Sequence, residues 1–426
     1  MRVIAYVASP LHVLSALAAI KTFHREQPVS VTLAVNYPTA SSALLEELHG
    51  IAAVMTDRMP GVDACIAVPN EMLAALAGRT DVDAAARDFR AQLGLRDFSE
   101  LYYFHDVMGV FFAMLAQSYP RTRRIAFGDT LGVVFERKFH LSQFGIEVPE
   151  SIATPDPARN QVTFWERLRA AVARKPAPTD QEYYTDLSTL PFGTPGILPH
   201  AAALILPTDE SGKLLSRIPW AVVQKKLVLE LLDALISRCT ALSEHVDKLL
   251  AGRESDRKYL LMTENNAEAQ FLTFERDIEM YCAIIERHCV PKSVIFLKGH
   301  PAERLPRYDA LRAKIGYKFD LVDFGERFKR YPVEFATRLV RECIPICMAY
   351  PTLSLKYLHG VDVIQPMDRA FIEAWYPQKL WDYLDKANQM MVVPTQRLAT
   401  WNGAETLWNG AEPPLGSTIR HDIVSS

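Results

Sequence analysis

Ser293-Val294-Ile295-Phe296-Leu297-Lys298-Gly299-His300-Pro301 decides how this chain folds. Its first five residues are mostly β-branched, aromatic or aliphatic, so they read as a buried strand. Gly299 and Pro301 end that strand sharply. Lys298 and His300 are left at its carboxyl end, the place where open α/β sheets receive ligands. An ammonium beside an imidazole suits a phosphate or a carboxylate. A turn histidine satisfied by backbone fits the same residues, so the stretch has to be weighed with its surroundings.

Outward from this strand, elements alternate. Before it come a strand over 259–262 and a helix over 275–288 with apolar residues at 278, 281, 284 and 285. After it come a helix over 308–315, a strand over 321–324 and a helix over 333–339. A strand over 344–349, a helix over 353–358, a strand over 361–364 and a terminal helix over 371–390 complete the run. The N-terminal third has the same rhythm. Strands are expected over 3–8, 31–35, 65–68, 101–104 and 124–127, with helices over 11–23, 41–48, 71–77, 82–93 and 107–117 between them. Such alternation predicts parallel sheets with helices on both faces. Between the halves, prolines at 149, 155, 157, 176, 178, 191, 195, 199 and 207 break the pattern. One helix near 164–174 is expected there, and a long amphipathic helix or helix pair over 220–250.

The fold class expected is therefore α/β and GT-B-like, two Rossmann-type doubly wound domains facing across a cleft. The expected division is 1–200 for an N-terminal Rossmann-like acceptor domain with an irregular connection from about 147. A helical insert or linker follows over 201–250, then a C-terminal Rossmann-like nucleotide-sugar domain over 251–385 and a tail over 386–426. A chain of 426 residues exceeds one ordinary core, which supports two domains. A formal charge of −3 gives no case for a nucleic-acid partner. The six cysteines, at 65, 239, 282, 289, 343 and 347, lack paired zinc-ligand spacing and read as reduced, buried thiols of a cytoplasmic protein. Met1-Arg2-Val3-Ile4-Ala5-Tyr6-Val7-Ala8 reads as a strand and not as a signal peptide. The segment 220–250 carries Lys225, Lys226, Glu230, Asp233 and Arg238, which rules it out as a bilayer span.

Five groups of residues stand at strand ends or helix starts. Ala8-Ser9-Pro10-Leu11-His12 follows the first strand, where Ser9 or Pro10 starts a helix with free N–H groups. Phe127-Gly128-Asp129-Thr130-Leu131-Gly132 places a carboxylate between glycines, where a substrate can approach closely and Asp129 can act as a general base. His105, at the end of the neighbouring strand, faces the same crevice. Lys298-Gly299-His300-Pro301 is the third group. Glu334, after Pro332, can accept from ribose hydroxyls or a base amino group. Tyr350-Pro351-Thr352-Leu353-Ser354 brings hydroxyls to a helix start and reads as an anion site. Each also suits an ordinary cap or turn, and their conjunction is the stronger signal. No P-loop, no strand-linked Gly-x-Gly-x-x-Gly and no Gly-x-Ser-x-Gly occurs. No Asp-x-Asp pair stands at a strand end to hold a divalent metal, so no metal site is expected.

On these residues the chain resembles the bacterial GT-B sialyltransferases, closest to the α-2,8-polysialyltransferase family and its lipooligosaccharide sialyltransferase relatives. Gly128-Asp129-Thr130-Leu131-Gly132 is similar to that family's acidic-glycine motif, with Thr130 where a glycine is usual and Gly128 where a second acid is frequent. Lys298-Gly299-His300-Pro301 is similar to its His-Pro motif, and Thr352 and Ser354 to its phosphate motif. Ser9-Pro10 resembles the opening after the first strand, and Pro332-x-Glu334 an element between the later motifs. The resemblance spans about residues 1–365.

It implies an inverting, metal-independent transfer of sialic acid, or a related nonulosonate, from a CMP-sugar to a hydroxyl of a surface glycan. CMP-sialic acid would be a substrate, with no separate cofactor. By the same resemblance Asp129 would be the base and His300 would stabilise or protonate the leaving phosphate. Thr352, Ser354 and helix N–H groups would bind that phosphate, Lys298 would add charge, and Glu334 would hold the cytidine. Ser9, Pro10, His12, His105, Gly128, Thr130, Gly299 and Pro301 would line the substrates. A cytoplasmic location with peripheral contact to the inner membrane goes with the family. A CMP-Kdo or CDP-glycerol transferase, and a non-catalytic nucleotide-sugar-binding protein, share these features and stay open.

Overall fold

The computed structural model describes residues 1–25, 27–37, 41–77, 81–104, 110–119, 121–127, 200–205, 220–385 and 388–389. The chain divides into two compact units at Arg238/Cys239.

The first unit is built on a seven-stranded sheet: β1 (Arg2–Val7), β2 (Ser30–Val35), β3 (Val62–Ala67), β4 (Glu100–Phe104), β5 (Arg123–Phe127), β6 (Ala201–Leu204) and β7 (Trp220–Val222). Its order is β3-β2-β1-β4-β5-β6-β7, and every pairing is parallel. From β1 the chain winds outward to β3, then crosses back to β4 beside β1. The reversal makes the carboxyl ends of β1 and β4 the switch point, where doubly wound sheets open a crevice. Both faces are covered, so Val3 to Val7 are fully buried and the strand reads as an unbroken apolar run.

The helix Pro10–Phe23 follows β1 directly. Ser9 caps it, its hydroxyl accepting from the His12 N–H at 3.3 Å, and Pro10 occupies the first turn. All of its residues except Leu11 and Lys21 are buried, so it forms the centre of this unit's core.

The second unit carries β8 (Lys258–Met262), β9 (Val294–Lys298), β10 (Asp320–Asp323) and β11 (Ile344–Ile346), again all parallel, in the order β10-β9-β8-β11. Its switch point lies between the carboxyl ends of β8 and β11. The fold is α/β and GT-B-like in content, two Rossmann-type units in succession.

Several expectations need correction. The segment 201–250 is not a helical insert. Its strands β6 and β7 extend the first sheet, the helix Lys225–Ile236 packs on Pro10–Phe23, and the helix Thr240–Leu250 belongs to the second unit. The helix pair over 220–250 is present, but shorter and broken at Ser237–Cys239. The expected strand over 361–364 reduces to one bridge between Ile346 and Ile364. The expected helix over 371–390 is interrupted after Trp375, because Pro377 has no N–H to continue it, and helical residues resume over 378–385. All six cysteines are free, but Cys65 and Cys282 are only half-buried. The helix near 164–174 and the tail beyond 389 lie outside the described residues. Among the described residues no helix is long and apolar enough to cross a membrane.

Candidate active site

The second unit gathers most of the expected residues at the carboxyl edge of its sheet. Lys298 ends β9. Its side chain turns inward, and only 6% of the residue is exposed. Its ammonium donates to the Lys329 carbonyl at 3.0 Å and lies 5.8 Å from the Phe324 ring centre. Burial pulls this ammonium down to about 8, against the opposing pull of Glu334 and Glu303.

His300 stands two residues on, half-buried. The Ala302 N–H donates to its Nδ1 at 3.1 Å. Desolvation, then the charge of Lys298, pushes the imidazole down to about 4, so the ring is neutral at pH 7. With Nδ1 accepting, its proton sits on Nε2, and that nitrogen is a hydrogen-bond donor. Gly299 has a steric reason. A Cβ there would stand 3.0 Å from Glu303 Oε2, and that carboxylate is held by Thr263 Oγ1 at 2.8 Å and Arg307 Nη1 at 2.5 Å.

Glu334 and Ser354 meet in the interior. The Ser354 hydroxyl, fully buried, donates to Glu334 Oε1, and Glu334 is 4% exposed. His359 Nε2 binds the Glu334 carbonyl at 2.8 Å. Thr352 is buried, with its side chain against the Cys347 thiol. The helix start Pro351–His359 differs from expectation. The N–H groups of Thr352 and Leu353 bond the carbonyls of Ala349 and Tyr350 at 3.0 and 2.9 Å, and the Ser354 N–H reaches Tyr350 at 3.4 Å. The first turn is thus tightened on itself, and these three N–H groups are not free donors.

Sequence reasoning passed over a carboxylate cluster under the same edge. Glu264 follows β8, and its backbone N–H lies 2.6 Å from the Tyr281 hydroxyl. Burial, opposed by Arg307, raises its carboxyl to about 7. Arg307, 1% exposed, lies between Asp277 at 2.6 Å, Glu303 at 2.5 Å and Glu268 at 3.3 Å. The signal was available: Thr263-Glu264 is a polar pair directly after an apolar strand, the feature that marks Lys298. A cavity of about 620 Å³ opens beside Gly299, lined by Thr263, Glu303, Arg307, Lys329 and Arg330. That volume lies in the range of small-molecule sites. No group of three or more metal-ligating side chains is present among the described residues.

In the first unit, Ser9, Pro10 and His12 sit at the β1 end. The Ala8 N–H donates to His12 Nδ1 at 3.2 Å, and the His12 ring lies 4.4 Å from the Phe104 ring and 6.0 Å from the Phe127 ring, centre to centre. His12 therefore bridges the ends of β1, β4 and β5. Its N–H is taken by Ser9 instead of being free. His105, Gly128, Asp129 and Thr130 lie outside the described residues.

No protein-family model matches this chain, and no curated protein does. Solved structures similar to it include the UDP-GlcNAc 2-epimerase of Neisseria meningitidis bound to UDP-GlcNAc, 10% identical with a TM-score of 0.45 over 94% of this chain and 100% of that one. The GT-B domain of a sialyltransferase from Photobacterium damselae is 11% identical, with a TM-score of 0.39 over 92% and 97%. A heptosyltransferase from E. coli with ADP-2-deoxy-2-fluoro heptose is 11% identical, with a TM-score of 0.34 over 86% and 90%. The strand order of each unit, and not these likenesses, carries the fold class.

Proposed function

We propose that this chain is a nucleotide-sugar glycosyltransferase, inverting and metal-independent, that moves sialic acid or a related nonulosonate from a CMP-sugar to a hydroxyl of a surface glycan. The observation that carries the reading is the pair at the end of β9. A neutral His300 with its proton on Nε2 stands beside the buried ammonium of Lys298. A group of this kind receives negative charge as it develops, because its donors are already oriented and partly desolvated.

In the transfer, the acceptor oxygen attacks C2 of the donor and the bond from C2 to the phosphate oxygen breaks. CMP leaves with the electron pair. His300 Nε2–H donates to the phosphate oxygen that gains the charge, and the Thr352 hydroxyl supplies a second donor. Lys298 contributes its positive charge from beneath. Glu334 then has a different role from the one expected of it. With one oxygen bound to Ser354, it holds Lys298 charged, and Ser354 fixes Glu334. The cavity beside Gly299 accepts the nucleoside end. Asp129, by resemblance, takes the acceptor proton.

Thermal unfolding with CMP, CDP, UDP and ADP tests the donor class. A ligand that binds only the native protein raises its stability by RT ln(1 + [L]/Kd), about 2.7 kcal/mol at a hundredfold excess over Kd. CMP is expected to raise the melting temperature and UDP and ADP to leave it unchanged. A shift with UDP or ADP alone would replace the cytidine assignment.

A further inference from the structure

The first unit holds a second cavity, of about 640 Å³, at the amino-terminal edge of its sheet. The switch point at the β1 end lies on the opposite edge. The cavity's apolar wall includes Leu17, Met59 and Leu227, and among the described residues its rim carries Lys21, Arg25 and Lys226 with Glu230, 3.9 Å from Lys226. His24, at the end of the helix Pro10–Phe23, also lines it.

His24 is set in a built arrangement. It is 7% exposed, and its Nε2 lies 2.6 Å from Glu100 Oε2. Glu100, itself 5% exposed, also accepts from the Tyr102 hydroxyl at 2.9 Å and from Arg123 Nη1 at 3.0 Å. Burial alone would raise this carboxyl, but His24, Tyr102 and Arg123 together hold it below the ordinary value, so it is a carboxylate at neutral pH. The other ring nitrogen of His24, Nδ1, is buried without a hydrogen-bond partner. Buried polar atoms are rarely left unmet.

We propose that this cavity binds an organic anion of the phosphomonoester class, its charged head received by His24, Lys21, Arg25 and Lys226 and its apolar body resting on Leu17, Met59 and Leu227. Among the described residues Lys21 and Lys226 outnumber Glu230, and they oppose the negative end of the helix dipole, which alone would repel such a ligand. The site is independent of the donor site assigned above.

Phenyl phosphate is the probe, titrated into the full chain by calorimetry, with benzyl alcohol as the uncharged control and ring ¹⁵N signals of histidine followed by NMR. Saturable binding with a Kd of about 1 mM or tighter is expected, with a shift of the His24 Nδ1 signal and none for benzyl alcohol. Lys21→Glu with Lys226→Glu, both exposed positions, should weaken it about tenfold or more without changing the circular dichroism. His300→Ala, which alters the donor site, should leave this binding unchanged. Vesicles of phosphatidic acid in phosphatidylcholine give the source: co-sedimentation competed by phenyl phosphate marks a lipid headgroup, no co-sedimentation a soluble ester, and both retain the site. Absence of saturable binding, equal binding by the double charge reversal, or loss of binding in His300→Ala would overturn the proposal.

Discussion

His300 accepts the backbone N–H of Ala302 on Nδ1, 3.1 Å away, and this bond fixes which ring nitrogen carries the proton. Its midpoint, lowered from 6.5 to about 4 by desolvation and Lys298, should appear directly in an NMR titration of the ring. The sign for stability follows from linkage. Between pH 6.5 and 4 the unfolded chain binds a proton that the folded ring refuses, so this residue lowers stability as pH falls through that window. Urea unfolding of the wild type should weaken more steeply over this range than that of His300→Gln. A ring midpoint near 6.5 would contradict the environment described.

Lys298 and Glu334 are both buried, and the charge of Glu334 opposes the lowering that burial imposes on the Lys298 ammonium. Lys298→Met strands the Glu334 carboxylate, and Glu334→Gln removes support from the ammonium. Each single change is expected to lower stability, since it leaves the other buried charge with less compensation. The double variant should recover part of that, with a coupling of about 1–3 kcal/mol in a double-mutant cycle. Strict additivity would mean the two do not interact.

Arg307 answers three carboxylates, Asp277, Glu268 and Glu303, and both it and Asp277 are essentially inaccessible. Arg307→Met should destabilise the second unit by about 3–5 kcal/mol, read as a lower urea midpoint. Asp277→Asn should do less harm, because Glu303 and Glu268 still neutralise the guanidinium.

Much of the fold was legible in the sequence, and the misses have particular causes. The strands at 3–8, 101–104 and 294–298 announce themselves because a parallel strand covered on both faces must be apolar throughout. Ala201–Leu204 gave no such signal: three alanines have low strand propensity, and only packing beside β5 makes them a strand. Val361 to Ile364 looks like a strand by composition, but pairs at one residue only, since propensity cannot supply a neighbour. At the site, Lys298, His300 and Glu334 were legible as residue types at element ends. That Ser354 would turn inward onto Glu334, and that the helix N–H groups would close on Ala349 and Tyr350, depends on side-chain direction and local tightening, which spacing does not encode.

Glu264 should report on the donor. Its carboxyl, raised to about 7 by burial against the pull of Arg307, with Asp277 and Glu303 raising it further and Lys298 lowering it, is half ionised near neutrality. Above pH 7 it adds a negative charge near Lys298, so affinity for an anionic donor should fall, by up to about tenfold or 1.4 kcal/mol. Glu264→Gln should make that dependence shallower in a binding titration from pH 6 to 8, the remainder being the loss of the Lys298 proton near pH 8. A wild-type profile that is already flat would remove Glu264 from the site.

The most direct measurement is the release of CMP from CMP-sialic acid by the purified chain with EDTA present, compared with His300→Ala. The account expects slow, metal-independent release that falls about 10²–10³-fold in the variant, the loss typical of one preorganised donor to developing charge. Release that needs a divalent metal, or that His300→Ala leaves unchanged, would contradict it.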